Sequence, residues 1–186
     1  MSASDSDDQP IEIPDRPIPN ILVTGTPGTG KTTTSELIAQ VTGLQHVNVG
    51  AIVKAKQLHE GYLEEFDTHV LDEDKLIDEL EDTMTEGGKI VDFHTCEIFP
   101  ERWFDLVIVL RADTATLYDR MEKRGYNKRK IEENMECEIM QIVLENAHES
   151  YEPEIVVELQ SNTVDDMESN VERVKQWLDA YRARHA

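Results

Sequence analysis

Positive charge is scarce in this sequence. Its 186 residues carry 18 Lys and Arg against 39 Asp and Glu, a formal net charge of −21. A surface of that sign repels nucleic acid at long range and attracts basic partners, so direct nucleic-acid binding is not expected. Long apolar runs are missing as well. No stretch approaches the roughly 20 residues that a membrane-spanning helix needs, and no membrane partner is expected. Cysteine is almost absent: Cys96 and Cys137 make no metal-ligand spacing and read as reduced thiols of an intracellular chain. The opening residues are polar and acidic, which suits neither a secretory signal nor an Arg-rich transit peptide. No internal repeat occurs.

What is present fits one domain with a sizeable core. Residues 1–19 combine Ser/Asp clusters with repeated proline and read as a flexible acidic tail. From Asn20 to the end, short apolar runs alternate with amphipathic stretches, the signature of a βαβ chain and a parallel sheet. Strands are expected at NILVTG, LQHVNVG, KIVDFH, DLVIVL and EIVVEL. Helices are expected between them. One starts at Lys31, with Leu37, Ile38 and Val41 on its apolar face and Gly43 ending it. A second is capped by Asp72, carries a stripe of Leu76, Ile77, Leu80 and Met84, and stops at Gly87-Gly88. A third covers TATLYDRMEKRG, a longer one runs unbroken from Lys130 to Tyr151, and a closing helix follows the last strand.

The chemistry begins at residues 25–32, GTPGTGKT, which fit G-x-x-x-x-G-K-[ST] between the first strand and the first helix. Gly25, Gly28 and Gly30 let the backbone turn tightly with its N–H groups inward, and the helix start adds free N–H groups and a positive dipole end. Lys31 is placed to reach the β- and γ-phosphates of a nucleotide, Thr32 to put its hydroxyl on Mg²⁺, and Thr33 to touch the α-phosphate. A second acidic element is expected at the end of another buried strand, and Asp92 supplies it, holding a Mg²⁺ water or a hydrogen bond from Thr32. His94, two residues on, shares its side of an extended strand and could orient a water or polarise a phosphate.

Two further segments stand out. Lys123, Arg124, Lys128, Arg129 and Lys130 cluster around a Gly-Tyr-Asn break in an otherwise acidic chain, and read as a short basic lid at about 123–133. Arg124 is the best single cation in it, because its planar fork can grip phosphate oxygens. Residues 48–71 form an insertion suited to an acceptor, with Lys54 as one of its few cations. The remaining Glu and Asp favour a small monophosphate over a nucleic-acid end.

Together NILVTGTPGTGKTT, MTEGGKIVDFHTCEIFPERWFD, LYDRMEKRGY and ENMECEIMQ resemble the adenylate kinase isoenzyme 6 family, also described as coilin-interacting nuclear ATPase protein and, in yeast, as the ribosome-assembly factor Fap7. The likeness runs from about Asn20 to the C-terminal helix. It implies a P-loop nucleoside monophosphate kinase fold: α/β, a five-stranded parallel sheet flanked by helices, with a short lid. It implies ATP and Mg²⁺, AMP as acceptor, and both adenylate kinase and ATPase activity. It also implies a role in small ribosomal subunit maturation beside ribosomal protein uS11 and the pre-ribosomal small subunit, in nucleus and cytoplasm. By position the ATP contacts fall on Gly28, Gly30, Lys31, Thr32, Thr33 and Arg124. Asp92 and His94 match the family's Asp-x-His, and residues 160–163 lie where the family holds adenine. Lys54 stands where some relatives carry arginine. Two readings follow: an enzyme passing the γ-phosphoryl group of ATP to AMP, or an assembly factor whose ATP cycle changes its affinity for a basic ribosomal protein.

Overall fold

A computed structural model of the chain describes residues 14–66 and 68–186, the side chain of Phe66 excepted. β1 (Ile21–Thr24) is buried along its whole length. Residues 25–30 turn the chain into α1 (Lys31–Thr42), which Gly43 ends in the left-handed conformation. After β2 (Gln45–Asn48) comes α2 (Val49–Lys56), capped by the Asn48 side chain, which accepts from the Ala51 N–H. β3 (His59–Leu63) and β4 (Thr68–Leu71) form an antiparallel hairpin. α3 (Glu73–Glu86) begins at Asp72, whose side chain accepts from the Lys75 N–H. β5 (Lys89–Asp92) and β6 (Leu106–Arg111) follow, then α4 (Thr114–Lys123), α5 (Lys128–Ile139) and α6 (Ile142–Ser150). β7 (Val156–Gln160) leads into α7 (Val164–Arg184), which opens on a capping box of Thr163 and Asp166.

The five-stranded sheet has the order β2-β5-β1-β6-β7, and every pairing in it is parallel. The chain leaves β1 for one side of the sheet and later returns to build the other. The carboxyl end of β1 is therefore the switch point, where open α/β sheets leave a crevice. Alternation along β1 divides the core. Leu22 faces a layer with Val91, Trp103 and Phe104, while Ile21 and Val23 face Ile38 of α1 and Leu178 of α7.

Several expectations are corrected. Val41 is 50% exposed, and the buried face of α1 is Thr34, Ser35 and Ile38. The tight turn out of β1 fixes which side of α1 meets the sheet and α7, and that side carries two hydroxyls. The long helix after the lid is two helices, broken at Gln141, whose φ is 58°. The insertion at 48–71 holds α2 and the β3–β4 hairpin, neither of which its sequence announced.

Residues 1–13 of the expected tail lie outside the described residues. Residues 14–19 differ from a flexible tail, because they dock along the amino-terminal edge of the sheet. Arg16 is buried, pairs with Asp105 at 2.9 Å, and its carbonyl accepts from the Tyr181 hydroxyl at 2.8 Å. Ile18 accepts from the Gly88 N–H. One buried ion pair orders a stretch whose composition is too polar to order itself. Arg16→Met strands Asp105, whose carboxyl burial already pushes upward. The expected loss is about 3 kcal/mol of stability, read as a lower urea midpoint at unchanged slope.

Candidate active site

The turn at residues 25–30 holds itself by internal bonds. The Thr26 carbonyl accepts from the Thr29 N–H at 3.2 Å, from the Thr29 hydroxyl at 2.8 Å and from the Lys31 ammonium at 3.2 Å. Gly25 is required by packing as well as by conformation, and Gly28 chiefly by its positive φ. A Cβ on Gly25 (φ +152°) would lie 2.7 Å from the Leu110 carbonyl oxygen, and one on Gly28 (φ +96°) 2.8 Å from Leu117 Cδ1. Before any phosphate approaches, the backbone of β6 already excludes a side chain at position 25.

Gly28, Gly30, Lys31, Thr32, Asp92, His94 and Arg124 line one cleft of about 490 Å³ over the carboxyl end of β1. Thr33 is exposed on the first turn of α1 and does not line it. Lys54 lies in a neighbouring cavity of about 930 Å³, walled by α2 and the hairpin. Phe93 and His94 belong to the walls of both.

Asp92 ends β5 between β1 and β2, paired in register with Val23 and Asn48. That position brings two donors to it. Its Oδ2 accepts from the Thr32 hydroxyl at 2.9 Å and from His46 Nε2 at 3.0 Å. The strand stops there, so His94 sits in the bend beyond it. His94 opens onto the cleft with protein crowded around it. The side chain is exposed to the cleft; desolvation by the protein around that cleft first, and Lys31 and Lys130 second, lower its pKa to about 4. The ring is neutral at physiological pH, with one nitrogen to donate and one to accept. Burial also lowers Lys31, to about 8, against the pull of Asp92.

The basic segment is the end of α4, a turn, and the first turn of α5, where the Asn127 side chain accepts from the Lys130 N–H. Arg124 caps α4 on the cleft wall. Lys130 lies 4.2 Å over the Tyr126 ring. Arg129 pairs with Glu65 beside the hairpin, and exposed Lys128 lies 3.8 Å from Glu132.

Three residues escaped the sequence reading. Arg120 donates to the carbonyls of Gly28 (3.1 Å), Ser161 (2.8 Å) and Asn162 (3.1 Å), tying the glycine turn to the segment after β7. Its spacing of four from Arg124 on α4 was the available signal. Glu138 is buried, accepts from the Thr26 hydroxyl at 2.6 Å, and pairs with Arg111. His46 gave no signal beyond its place in a short strand.

A hard, all-oxygen donor pair of Thr32 and Asp92 fits Mg²⁺, which keeps several waters and leans on substrate phosphates. Among the described residues no group of three or more His, Cys, Asp or Glu is placed to hold a metal ion. None of their helices is long and apolar enough to cross a membrane. Cys96 is buried, Cys137 half-buried, and both are free thiols.

Sheet order, glycine turn and following helix together define a P-loop kinase fold. Shikimate kinase from Acinetobacter baumannii, in complex with shikimate, superposes with a TM-score of 0.59 over 88% of this chain and 94% of that one, at 14% identity, a likeness of fold. A family model described as an AAA domain matches residues 21–141. The adenylate kinase isoenzyme 6 homolog of Dictyostelium discoideum is 55% identical over 160 residues, 86% of this chain and 91% of that protein. The adenylate kinase isoenzyme 6 homolog FAP7 of Saccharomyces cerevisiae is 48% identical over 168 residues, 90% and 85% of the two. The chain belongs to the adenylate kinase isoenzyme 6 family.

Proposed function

We propose that the protein is a Mg²⁺-dependent adenylate kinase that moves the γ-phosphoryl group of ATP to AMP, and that it hydrolyses ATP when water takes the acceptor's place. The observation that carries this reading is the pair of adjoining cavities. One surrounds Lys31, the other reaches Lys54, and His94 stands on their common wall. Phosphoryl transfer asks for in-line placement and charge stabilisation and needs no covalent nucleophile. In this reading the N–H groups of the glycine turn and of the start of α1 cradle the phosphates of ATP. Lys31 reaches the β- and γ-phosphates, and Arg124 adds charge from the lid. Lys54 meets the phosphate of the acceptor. Neutral His94 orients the attacking oxygen, of AMP or of water. Thr32 and Asp92 would hold Mg²⁺, which would supply charge neutralisation to the phosphates. ADP formation from ATP and each nucleoside monophosphate, followed by a coupled assay, tests the proposal. Turnover indifferent to AMP would sink the kinase reading.

The net charge of −21 favours a second role, in which the ATP cycle governs affinity for a basic partner. Ribosomal protein uS11 in the pre-ribosomal small subunit, met in nucleus and cytoplasm, is the proposed partner. Capture of that protein with and without ATP tests the role, and equal capture in both removes the switch.

Lys31 gives the site a pH dependence. Its pKa of about 8 in the free protein rises when phosphates surround the ammonium. ATP affinity is therefore complete below pH 8 and falls above it, by up to about tenfold per pH unit until the pKa of the bound form is reached. Calorimetry near pH 8.5 (roughly, by the same linkage) in two buffers of different ionisation enthalpy should show proton uptake on binding.

A further inference from the structure

The carboxylate of Asp92 is used unevenly. Both of its donors, the Thr32 hydroxyl and His46 Nε2, bond to the same oxygen, Oδ2, at 2.9 and 3.0 Å. Oδ1 has no hydrogen bond among the described residues, while Asp92 itself lines the cleft. Asp92 is only 4% exposed, and within that packing these two hydrogen bonds orient its carboxylate. His46 does not line the cleft. It comes from β2, behind Asp92, where its ring is largely covered.

We propose that His46 is a positioning residue: by fixing Oδ2 together with Thr32, it leaves Oδ1 of Asp92 turned to the cleft as the oxygen that receives a water of the nucleotide-bound cation. The inference rests on the nucleotide site described above. A carboxylate held by one donor can swing and spend both oxygens on Thr32. Held by two donors converging on one atom, it cannot. The arrangement also assigns the imidazole proton to Nε2, since a carboxylate oxygen only accepts. Thr32 keeps a lone pair for the cation, because its hydroxyl hydrogen is already committed to Asp92. His46 thus acts on the cation through Asp92, as outer partners of metal ligands do.

The test uses the full chain with Mn²⁺ as paramagnetic probe and a non-hydrolysable ATP analogue, read by electron paramagnetic resonance. His46→Leu keeps bulk and removes the donor; His46→Gln keeps an N–H. Loss of an outer partner typically weakens a metal site by 10–100-fold, and His46→Leu should weaken Mn²⁺ in the ternary complex by about tenfold. Its kcat should fall with the KM for ATP little changed, the analogue should bind equally well in chelator, and His46→Gln should recover most of the cation affinity. If His46→Leu lowers only the melting temperature and leaves Mn²⁺ affinity intact, the bond is structural and the proposal fails. If the wild-type chain itself binds no Mn²⁺ with the analogue, the nucleotide–cation reading fails first, and the proposal with it.

Discussion

Lys31→Ala should lower the rate of ADP formation by about 10³-fold, since one lost donor to the charge of a transferring group costs 10²–10³ and Lys31 carries a full charge. The ammonium sits over the glycine turn, bonded to the Thr26 carbonyl at 3.2 Å, in the cleft it shares with Asp92, His94 and Arg124. Nucleotide binding should weaken as well, because Lys31 contacts the phosphates before and during transfer. Stability should not suffer. Burial opposes the charge of Lys31 in the nucleotide-free protein, so its removal relieves a desolvated cation. A chain that melts at the wild-type temperature or above while losing turnover separates the chemical role from a structural one. A variant with wild-type turnover would take Lys31 out of the mechanism.

Glu138→Gln should cost about 3 kcal/mol or more, the loss found when one partner of a buried ion pair is removed. Glu138 holds the Arg111 guanidinium at the end of β6 and accepts from the Thr26 hydroxyl at 2.6 Å. The Ala112 N–H adds a longer bond at 3.4 Å. Glutamine keeps the shape and removes the charge, leaving Arg111 with the outer Glu158 at 3.5 Å. Urea unfolding measures the loss. Because Thr26 also carries Lys31, nucleotide affinity should drop even where the variant is fully folded, and Arg111→Met should cost less affinity than Glu138→Gln. Equal stability of Glu138→Gln and wild type would show that the pair contributes nothing net.

The sheet and the glycine turn were legible because their signals are local. Four buried residues ending at a glycine mark β1, and the motif lies within eight consecutive residues. Asp92 was found by the same logic, as the one acid at the end of an apolar strand. The hairpin was not legible. β3 is mostly exposed, so its residues show no apolar alternation to read. The break at Gln141 was hidden because helix propensity runs straight through it, and what turns the chain there is tertiary: Glu138 is drawn onto Thr26, 112 residues away in sequence. His46 and Arg120 matter through bonds to partners 46 and 92 residues distant; for Arg120 its spacing from Arg124 places it on the same face of α4 but does not name those partners, and for His46 no spacing signals them. Residues 14–19 misled in the opposite direction, since an ion pair with Asp105 outweighs their polar composition.

The place of β1 at the centre of the sheet bears on how the chain is made. Among the described residues it is the first strand to emerge during synthesis, yet both its neighbours come late: Ile21 pairs with Ile90 on one side and with Leu106 on the other. Until β5 and β6 arrive, a strand with three apolar residues in four has open edges on both sides, and its Leu22 face lacks the layer of Trp103 and Phe104. Parallel pairings of this separation are slow to form and exposed to aggregation meanwhile. The most protected segment of the finished protein is thus the one most in need of shielding while the chain grows, and changes that slow β5 or β6 should show first as lost soluble yield.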